Sequence, residues 1–384
     1  MNMIKVGYWD QTYAEQRLIV QKENVGKVQY IPIDRSKDDW MLNLVCGLDT
    51  FRKDLFPNRK GFYYHPVGTP KCDLIHNFNG VCDMKLPWFS SYETRLPKRL
   101  KVDLDKPVNK WWLKYNCELL AKDHCKGLFP ISRSAYEIEQ AYIKRYAEEY
   151  YDDIMKKTEV VHPPQAEIVT ESMIQEKNET ILKKIEFIFV GTGFWFKGGK
   201  EAVEALAKFR KDYDFHLTIV SDFLVFPERE PQYTKEDYRQ AMKLIHENRD
   251  WITLYNKLSN RRVLKLCAES HVGVLPSYAD SYGYACLEFQ ASGCPVITSD
   301  IRAFSEINGE EYGYVYRIDS AMSSKEKQEN NLRCLIGIFE EIFNHPEEIA
   351  KKGRRSLERI REMHSPQKYA DFMLEKYRQA LKQK

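Results

Sequence analysis

Residues 276–288 read PSYADSYGYACLE and are the segment most informative about the fold. An apolar run at 272–275 (VGVL) leads into it, and a second apolar run at 296–298 (VIT) follows a Gly-x-Pro turn. Short apolar runs separated by a loop and a helix-length segment are typical of a βαβ unit in a parallel sheet. The pattern predicts strand, loop, helix and strand, with the helix beginning near Gly283.

Two acidic residues, Asp280 and Glu288, lie eight positions apart in this unit. We expect Asp280 in the loop before the helix and Glu288 in its second turn, so that both carboxylates face one crevice. The helix start suits a phosphate, and carboxylates accept hydrogen bonds from sugar hydroxyls. The pattern therefore indicates a nucleotide-sugar site. The alternative is an ordinary turn with a surface Asp and a helical Glu. It does not explain why a proline, a glycine, both acids and the Gly-x-Pro turn occur together at this spacing.

A second glycine-rich stretch lies about one nucleotide-binding domain upstream. The apolar run at 185–190 leads into residues 191–199, which read GTGFWFKGG. An amphipathic helix should follow, because apolar residues recur at helical spacing through 202–209. Glycines let backbone amides approach phosphate oxygens, and Lys197 adds a full positive charge.

Together the two stretches resemble the donor site of family 4 retaining glycosyltransferases, which have the GT-B fold. The acidic pair, Lys197-Gly198 and the Gly-x-Pro turn match the family pattern. Asp280 stands where the family usually has glutamate, and Ser281-Tyr282-Gly283-Tyr284 replaces the usual Gly-Phe-Gly-aliphatic. Thr192, or Gly193 if a gap is allowed, occupies the position of one of two phosphate-binding cations, an arginine in the family.

The resemblance implies an α/β protein with two Rossmann-like, doubly wound domains facing a central cleft. Residues 1–168 would form the acceptor-binding domain, joined by a C-terminal helix at 366–384 that crosses back to it. Residues 169–365 would form the nucleotide-sugar-binding domain.

The same resemblance implies transfer with retained anomeric configuration, without a metal or other cofactor. The co-substrate would be a UDP- or GDP-linked sugar, and the acceptor a glycan or lipid-linked glycan. Lys197 and Asp280 would be the catalytic residues, and Lys257 would lie near the nucleotide base. The expected donor-binding residues are Gly191, Thr192, Gly193, Lys197, Lys257, Asp280, Ser281, Tyr282, Gly283, Tyr284 and Glu288.

Composition agrees with a two-domain globular chain. The 384 residues are 43% hydrophobic and 30% charged, and no apolar run approaches the ~20 residues that span a bilayer. The chain enters a strand-like segment at once and shows no signal-peptide pattern. Nine scattered cysteines without CxxC spacing favour a reduced, cytoplasmic setting. The expected location is the cytoplasm, including the inner face of a membrane.

Strand-like and helix-like segments alternate in both halves. A linker is expected at 165–180 and a charged terminal helix from 366 to about 382. The predicted strands of the first half are 4–8, 73–78, 127–131 and 160–162. Those of the second half are 186–190, 216–220, 252–255, 271–275, 296–299 and 313–316.

His76 and Asn77 end one of the predicted first-half strands, at the sheet edge where open α/β sheets bind ligands. The family places a histidine-bearing turn here, so these side chains are candidates for contact with the donor sugar or acceptor. A histidine bonded inside the strand and an asparagine that caps the turn are the alternative.

Residues 95–114 carry seven Lys or Arg against two Asp, beside Trp111 and Trp112. This composition suits a peripheral contact with an anionic membrane, while a solvated basic face is the alternative. No nucleic-acid-binding module accompanies it. The triplet Asp103-Leu104-Asp105 is interpreted as lysine partners rather than a metal site.

Two other functions stay open on sequence grounds. One is a catalytically inactive GT-B module that binds sugar nucleotide or glycan, given Thr192 and Asp280. The other is a nucleotide-sugar epimerase of the same fold, for which no additional acid and base residues are found.

Overall fold

The structure is a computed structural model that describes residues 3–9, 13–34, 63–66, 68, 70–98, 107–226, 229 and 231–382. The chain divides into two compact units. The first comprises Met1–Pro164 and His364–Lys384, and the second Gln165–Met363. The division falls four residues before the boundary expected at 168.

The first unit is built on a parallel sheet in the order β2-β1-β4-β6-β7. Its strands are β1 (Ile4–Trp9), β2 (Val28–Ile33), β4 (Leu74–Phe78), β6 (Trp88–Tyr92) and β7 (Cys125–Pro130). A separate two-stranded sheet pairs β3 (Tyr63–Tyr64) with β5 (Val81–Cys82). Its described helices are α1 (Tyr13–Leu18), α2 (Pro107–Ala121), α3 (Arg133–Tyr146), α4 (Tyr151–Met155) and, at the chain end, α13 (Pro366–Lys382).

Sequence patterns missed two strands of this sheet and added one. Strand β2 lies at the sheet edge and is mostly half-exposed, and Gln29 and Pro32 interrupt its strand-like pattern. Strand β6 is fully buried but carries two serines in its centre. Residues 160–162, expected as a strand, are irregular, although the Val161 amide still donates to the Pro130 carbonyl at 3.0 Å.

The terminal helix α13 packs on the first unit, which confirms that it returns to the N-terminal part of the chain. Asn24 donates its side-chain N–H to the carbonyl of Ala370 at 3.0 Å. The Tyr377 hydroxyl lies 2.6 Å from Nδ1 of His76 in the middle of β4. All four of these residues are buried, so the helix is part of the core of the unit.

The second unit has a six-stranded parallel sheet in the order β10-β9-β8-β11-β12-β13. Its strands are β8 (Ile185–Val190), β9 (Phe215–Val220), β10 (Ile252–Tyr255), β11 (Val272–Leu275), β12 (Val296–Ser299) and β13 (Tyr314–Tyr316). Its described helices are α5 (Glu171–Asn178), α6 (Gly199–Ala207), α7 (Lys235–Glu247), α8 (Asn260–Glu269), α9 (Tyr284–Ala291), α10 (Phe304–Ile307), α11 (Ser324–Asn344) and α12 (Glu347–Met363).

Sequence patterns were accurate in this unit because its strands are short and mainly apolar. Strands β10 and β12 have the predicted bounds, and the others differ by one residue at one end. The expected linker at 165–180 was too simple, since it contains α5, capped by Thr170, whose hydroxyl accepts a hydrogen bond from the Met173 amide at 3.4 Å. Both units are therefore α/β with parallel sheets, as the sequence predicted.

No helix in the described part of the chain combines the length and the apolar character needed to span a bilayer. The eight cysteines that lie in described segments are all free thiols.

Candidate functional site

The glycine-rich turn and the acidic stretch meet at the carboxyl edge of the second sheet, because they follow the neighbouring strands β8 and β11. The Tyr278 amide donates to the Phe196 carbonyl at 2.9 Å. Gly198 has a φ of +74°, and a Cβ there would lie 2.2 Å from the Pro276 carbonyl oxygen. Only glycine allows this backbone and this close approach. The two loops therefore form one continuous surface.

Lys197 and Asp280 form a direct ion pair on this surface. Their side chains are only 13% and 15% exposed, so water screens the pair poorly. The lysine stem packs on Gly191, where a Cβ would approach its Cγ at 3.4 Å. The second oxygen of Asp280 accepts the Tyr282 amide at 3.3 Å. The structure thus brings the two expected catalytic residues together, but each is already partnered by the other.

Helix α9 begins after Gly283, as predicted. Gly283 has a φ of +88°, and a Cβ there would lie 2.0 Å from the ring of Phe304, so the position requires glycine. Tyr282 is buried, while Ser281 and Tyr284 are half-buried. The start of the helix therefore immediately follows the Asp280 loop, with its first amides directed toward that loop.

Glu288 lies in the second turn of α9, as expected, but its side chain is only 6% exposed. The neighbouring residues 286–291 of the helix are all buried. A ligand that reaches Glu288 would therefore contact only a small exposed part of it.

The glycine-rich turn is fixed by the loop that follows β9. The Gly193 amide donates to Oδ1 of Asp222 at 2.7 Å, and the Ser221 hydroxyl donates to the Gly191 carbonyl at 2.6 Å. The amide of Gly193, expected to face a phosphate, is thus engaged by a carboxylate of the protein. Thr192 is exposed. The sequence analysis missed Asp222, which could have been found as an acid just past the carboxyl end of a strand.

A second cation, Arg229, lies against the same aromatic ring as Lys197. Its guanidinium carbon is 4.4 Å from the centre of the Phe196 ring, and Nζ of Lys197 is 5.6 Å from the same centre. The two charges are therefore separated by no more than the sum of those distances. Arg229 also stacks on Phe226 at 5.5 Å and has no ion pair with any residue that the structure describes. Nothing in the local sequence pattern pointed to Arg229.

Lys257 is exposed in the loop after β10. Since β9 separates β10 from β8 in the sheet, Lys257 is two strands away from the glycine-rich turn. It shares the carboxyl edge with Lys197 without contacting it.

Glu201 is a buried acid behind the glycine-rich turn, in the first turn of α6. The Tyr233 hydroxyl donates to its two oxygens, at 3.0 and 3.1 Å. Burial raises the pKa of Glu201 to about 7, against the opposing effect of Lys200. Because Glu201 is 1% exposed, it is a core group of the unit rather than a ligand contact.

The structure corrects the expectation for His76 and Asn77, because both are fully buried in the first unit. Nε2 of His76 lies 2.9 Å from the Ser91 hydroxyl, and burial lowers the pKa of the imidazole to about 3. The Asn77 side chain accepts the Gly80 amide at 2.9 Å and donates to the Phe89 carbonyl at 3.1 Å. Neither side chain is exposed for contact with a sugar.

The basic segment at 95–114 is described only in part, and Asp103-Leu104-Asp105 lies outside the described residues. Trp111 is 61% exposed and stacks on Tyr115 at 5.6 Å. Lys114 is ion-paired with Glu149 at 2.6 Å. Among the residues that are described, no group of three His, Cys, Asp or Glu side chains is placed to hold a metal ion.

Residues 171–354 match the family described as glycosyl transferases group 1. Among curated proteins, none matches the sequence. Similar solved structures include a glycosyltransferase from Rickettsia africae ESF-5, with 15% identity, a TM-score of 0.62 and 100% of both chains covered.

Two further similar structures are HepE from Anabaena in complex with UDP and glucose, and WaaG, a glycosyltransferase involved in lipopolysaccharide biosynthesis. HepE is 14% identical with a TM-score of 0.60, over 97% of this chain and 98% of HepE. WaaG is 13% identical with a TM-score of 0.58, over 96% of this chain and 99% of WaaG. The chain thus has the GT-B fold of these glycosyltransferases, and its residues 171–354 resemble the glycosyl transferases of group 1.

Proposed function

We propose that the protein is a retaining glycosyltransferase that moves a sugar from a UDP- or GDP-linked donor to a glycan or lipid-linked glycan. The observation that carries this proposal is the contact between Lys197 and Asp280 where two strand-end loops meet. One supplies positive charge for a diphosphate, and the other supplies hydrogen-bond acceptors for a sugar. HepE, a protein of similar fold, was solved with UDP and glucose.

Charge balance assigns a role to Arg229. A nucleoside diphosphate is an anion of more than one charge, whereas Lys197 is already neutralised by Asp280. Arg229 lies over the same Phe196 ring and adds the second cation that Thr192 does not provide. The first amides of α9 donate further hydrogen bonds to phosphate oxygens. These groups stabilise the negative charge that grows on the leaving diphosphate, and no metal is required for that purpose.

The donor must compete with two internal contacts when it binds. Lys197 turns from Asp280 toward the diphosphate, which frees the carboxylate of Asp280 to accept a sugar hydroxyl. The exposed part of the Glu288 carboxylate accepts hydrogen bonds from the ribose hydroxyls. Retention follows from the family resemblance, in which the acceptor hydroxyl attacks from the side of the leaving group and a phosphate oxygen takes its proton.

The acceptor side is proposed from the first unit. Trp111 is exposed on α2 beside the exposed Lys110, which suits shallow contact with an anionic membrane surface. A lipid-linked glycan would then be presented at the membrane, where the enzyme would work as a peripheral protein. WaaG, of similar fold, acts in lipopolysaccharide biosynthesis.

A binding module without catalysis is the second candidate. It is favoured by Asp222, whose carboxylate occupies the Gly193 amide and would repel a phosphate there. Such a module would bind a sugar nucleotide weakly and would not turn it over.

A panel of UDP-, GDP- and ADP-sugars separates the two candidates. Slow hydrolysis of one donor class, together with binding of the matching nucleoside diphosphate by calorimetry, is the result expected for the enzyme. Binding without hydrolysis or transfer would favour the module. The absence of both would contradict a nucleotide-sugar site altogether.

A further inference from the structure

A pocket of about 480 Å³ opens beside the donor loop, within the second unit. Its walls come from the loops that follow β11, β12 and β13, so it lies at the same carboxyl edge as Lys197 and Asp280. Ala279 forms part of the wall and directly precedes Asp280 in the chain. Consecutive Cα atoms are about 3.8 Å apart. The pocket therefore adjoins the position proposed for the transferred sugar.

Two arginines line this pocket, Arg302 and Arg317, and both are exposed. In the described part of the chain, neither guanidinium has a hydrogen-bond or ion-pair partner. The planar guanidinium presents five N–H donors in a fork that matches a carboxylate or phosphate. Most of these donors are open to a ligand in the pocket.

Two carboxylates in the same wall are already used by the backbone. Oδ1 of Asp300 accepts the Ile318 amide at 3.0 Å, and Oδ1 of Asp319 accepts the Ala321 amide at 2.9 Å. Each aspartate thus holds its own loop in shape, and neither lies within ion-pair distance of an arginine that the structure describes. Each carboxylate keeps its second oxygen as an acceptor, so the pocket offers the N–H donors of two guanidinium groups beside a smaller number of free acceptors.

Arg302 is held in an unusual backbone conformation, with a φ of +45°. Left-handed backbone is uncommon for a residue with a side chain and persists where the surroundings impose it. The next two residues, Ala303 and Phe304, are 1% exposed, and the Phe304 amide donates to the Ile301 carbonyl at 2.9 Å. Packing on one side of Arg302 therefore fixes the loop that carries its side chain to the pocket.

We propose that this pocket binds an oxyanion, a phosphate or a carboxylate, carried by the acceptor sugar. The assignment to the acceptor rests on the proposed function, and it narrows the acceptor to an anionic glycan such as a uronic acid or a sugar phosphate. Arg302 and Arg317 hold the anionic group from two loops, while the acceptor hydroxyl reaches the neighbouring donor loop. Selectivity against neutral sugars follows, since a neutral sugar leaves both guanidinium groups without a partner.

The test measures binding of four probes to the full chain by calorimetry: inorganic phosphate, glucose 6-phosphate, glucuronate and neutral glucose. Three variants alter the pocket: Arg302→Gly, Arg302→Lys and Arg317→Gln. Arg302→Gly relaxes the left-handed backbone while removing the charge, so the variant should fold at least as well as the parent. Arg354→Gln is the control, because Arg354 is an exposed arginine on α12, away from the pocket.

The expected result is binding of the phosphate probes or of glucuronate, and not of glucose. Removal of either pocket arginine should weaken that binding at least tenfold, Arg302→Lys should weaken it less than Arg302→Gly, and Arg354→Gln should leave it unchanged. The two probe classes distinguish a sugar phosphate from a uronic acid. No binding of any anionic probe, or equal binding to parent and Arg302→Gly, would overturn the proposal.

UDP and GDP binding separates this pocket from the donor site. Arg302→Gly should keep the nucleoside diphosphate affinity of the parent, and a parallel loss would show that the pocket serves the donor instead, which also overturns the proposal. If no sugar nucleotide is bound or hydrolysed but phosphate still binds through Arg302, the anion pocket stands and the proposed transferase function falls.

Discussion

Lys197→Met should abolish most donor hydrolysis while leaving the protein folded. Methionine keeps an unbranched stem that can pack on Gly191, but it removes the ammonium group. The Asp280 carboxylate, 15% exposed, then loses its cation. Two consequences follow, one for stability and one for catalysis, and their magnitudes differ.

The stability effect is moderate. Unit charges ~4 Å apart attract by roughly 4 kcal/mol at an effective dielectric constant of 20, and the desolvation of both groups offsets much of this. Exposed pairs contribute ~0–1 kcal/mol, and loss of one partner of a fully buried pair costs ~3–5 kcal/mol. The Lys197–Asp280 pair lies between these limits, so we expect a loss of about 1–3 kcal/mol. Domains are typically stable by ~5–15 kcal/mol and tolerate such a loss.

The effect of Lys197→Met on catalysis should be larger than its effect on stability. Removing one preorganised group that stabilises a developing anion typically lowers kcat by ~10²–10³, or about 2.7–4 kcal/mol. The assay is steady-state hydrolysis of the best donor in the sugar-nucleotide panel, with thermal unfolding measured on the same samples.

Lys200→Met is the matched control. Lys200 lies three positions after Lys197 in the chain. It is 11% exposed and ion-paired with Glu204 at 3.0 Å. Its loss should lower stability by a similar amount and leave kcat/KM unchanged. Hydrolysis by Lys197→Met at the parental rate, or an equal fall in both variants, would refute the role given to Lys197.

Three further predictions concern the stability of the two units. Gly283→Ala should destabilise the protein much more than Gly26→Ala in thermal unfolding; both glycines have positive φ, but a Cβ at Gly26 meets nothing within 4 Å. Tyr377→Phe should cost about 1–3 kcal/mol in denaturant unfolding, since it leaves Nδ1 of the buried His76 without its partner; full stability would contradict this. Glu201, with a pKa of about 7 in place of 4.5, keeps its proton in the folded state where the unfolded chain has lost it, so the free energy of unfolding should fall from pH 4.5 to 7, by up to about 3 kcal/mol. Glu201→Gln should flatten that slope, and an unchanged slope would show that other groups cause it.

Local sequence patterns were enough to predict the strands and helix starts of the second unit. Its strands are short, mainly apolar runs in a parallel sheet, so each one can be predicted without knowledge of its neighbours. Gly283 and the terminal helix α13 were located in the same way, since a helix start and a charge-rich helical segment are properties of a few adjacent residues. The half-exposed β2 was missed because Gln29 and Pro32 interrupt its pattern, and β6 was missed because it carries two serines in its centre.

The contacts between side chains that are distant in the sequence became visible only in the tertiary structure. The partners Lys197 and Asp280 are 83 residues apart, and Asp222 reaches the Gly193 amide across 29 residues. Such pairings depend on strand order and on the path of each loop at the sheet edge, which no local pattern specifies. Burial of His76 against Tyr377, 301 residues away, likewise required the terminal helix to be in place. Side-chain chemistry is written in the sequence, but which groups stay free for a ligand is set by packing.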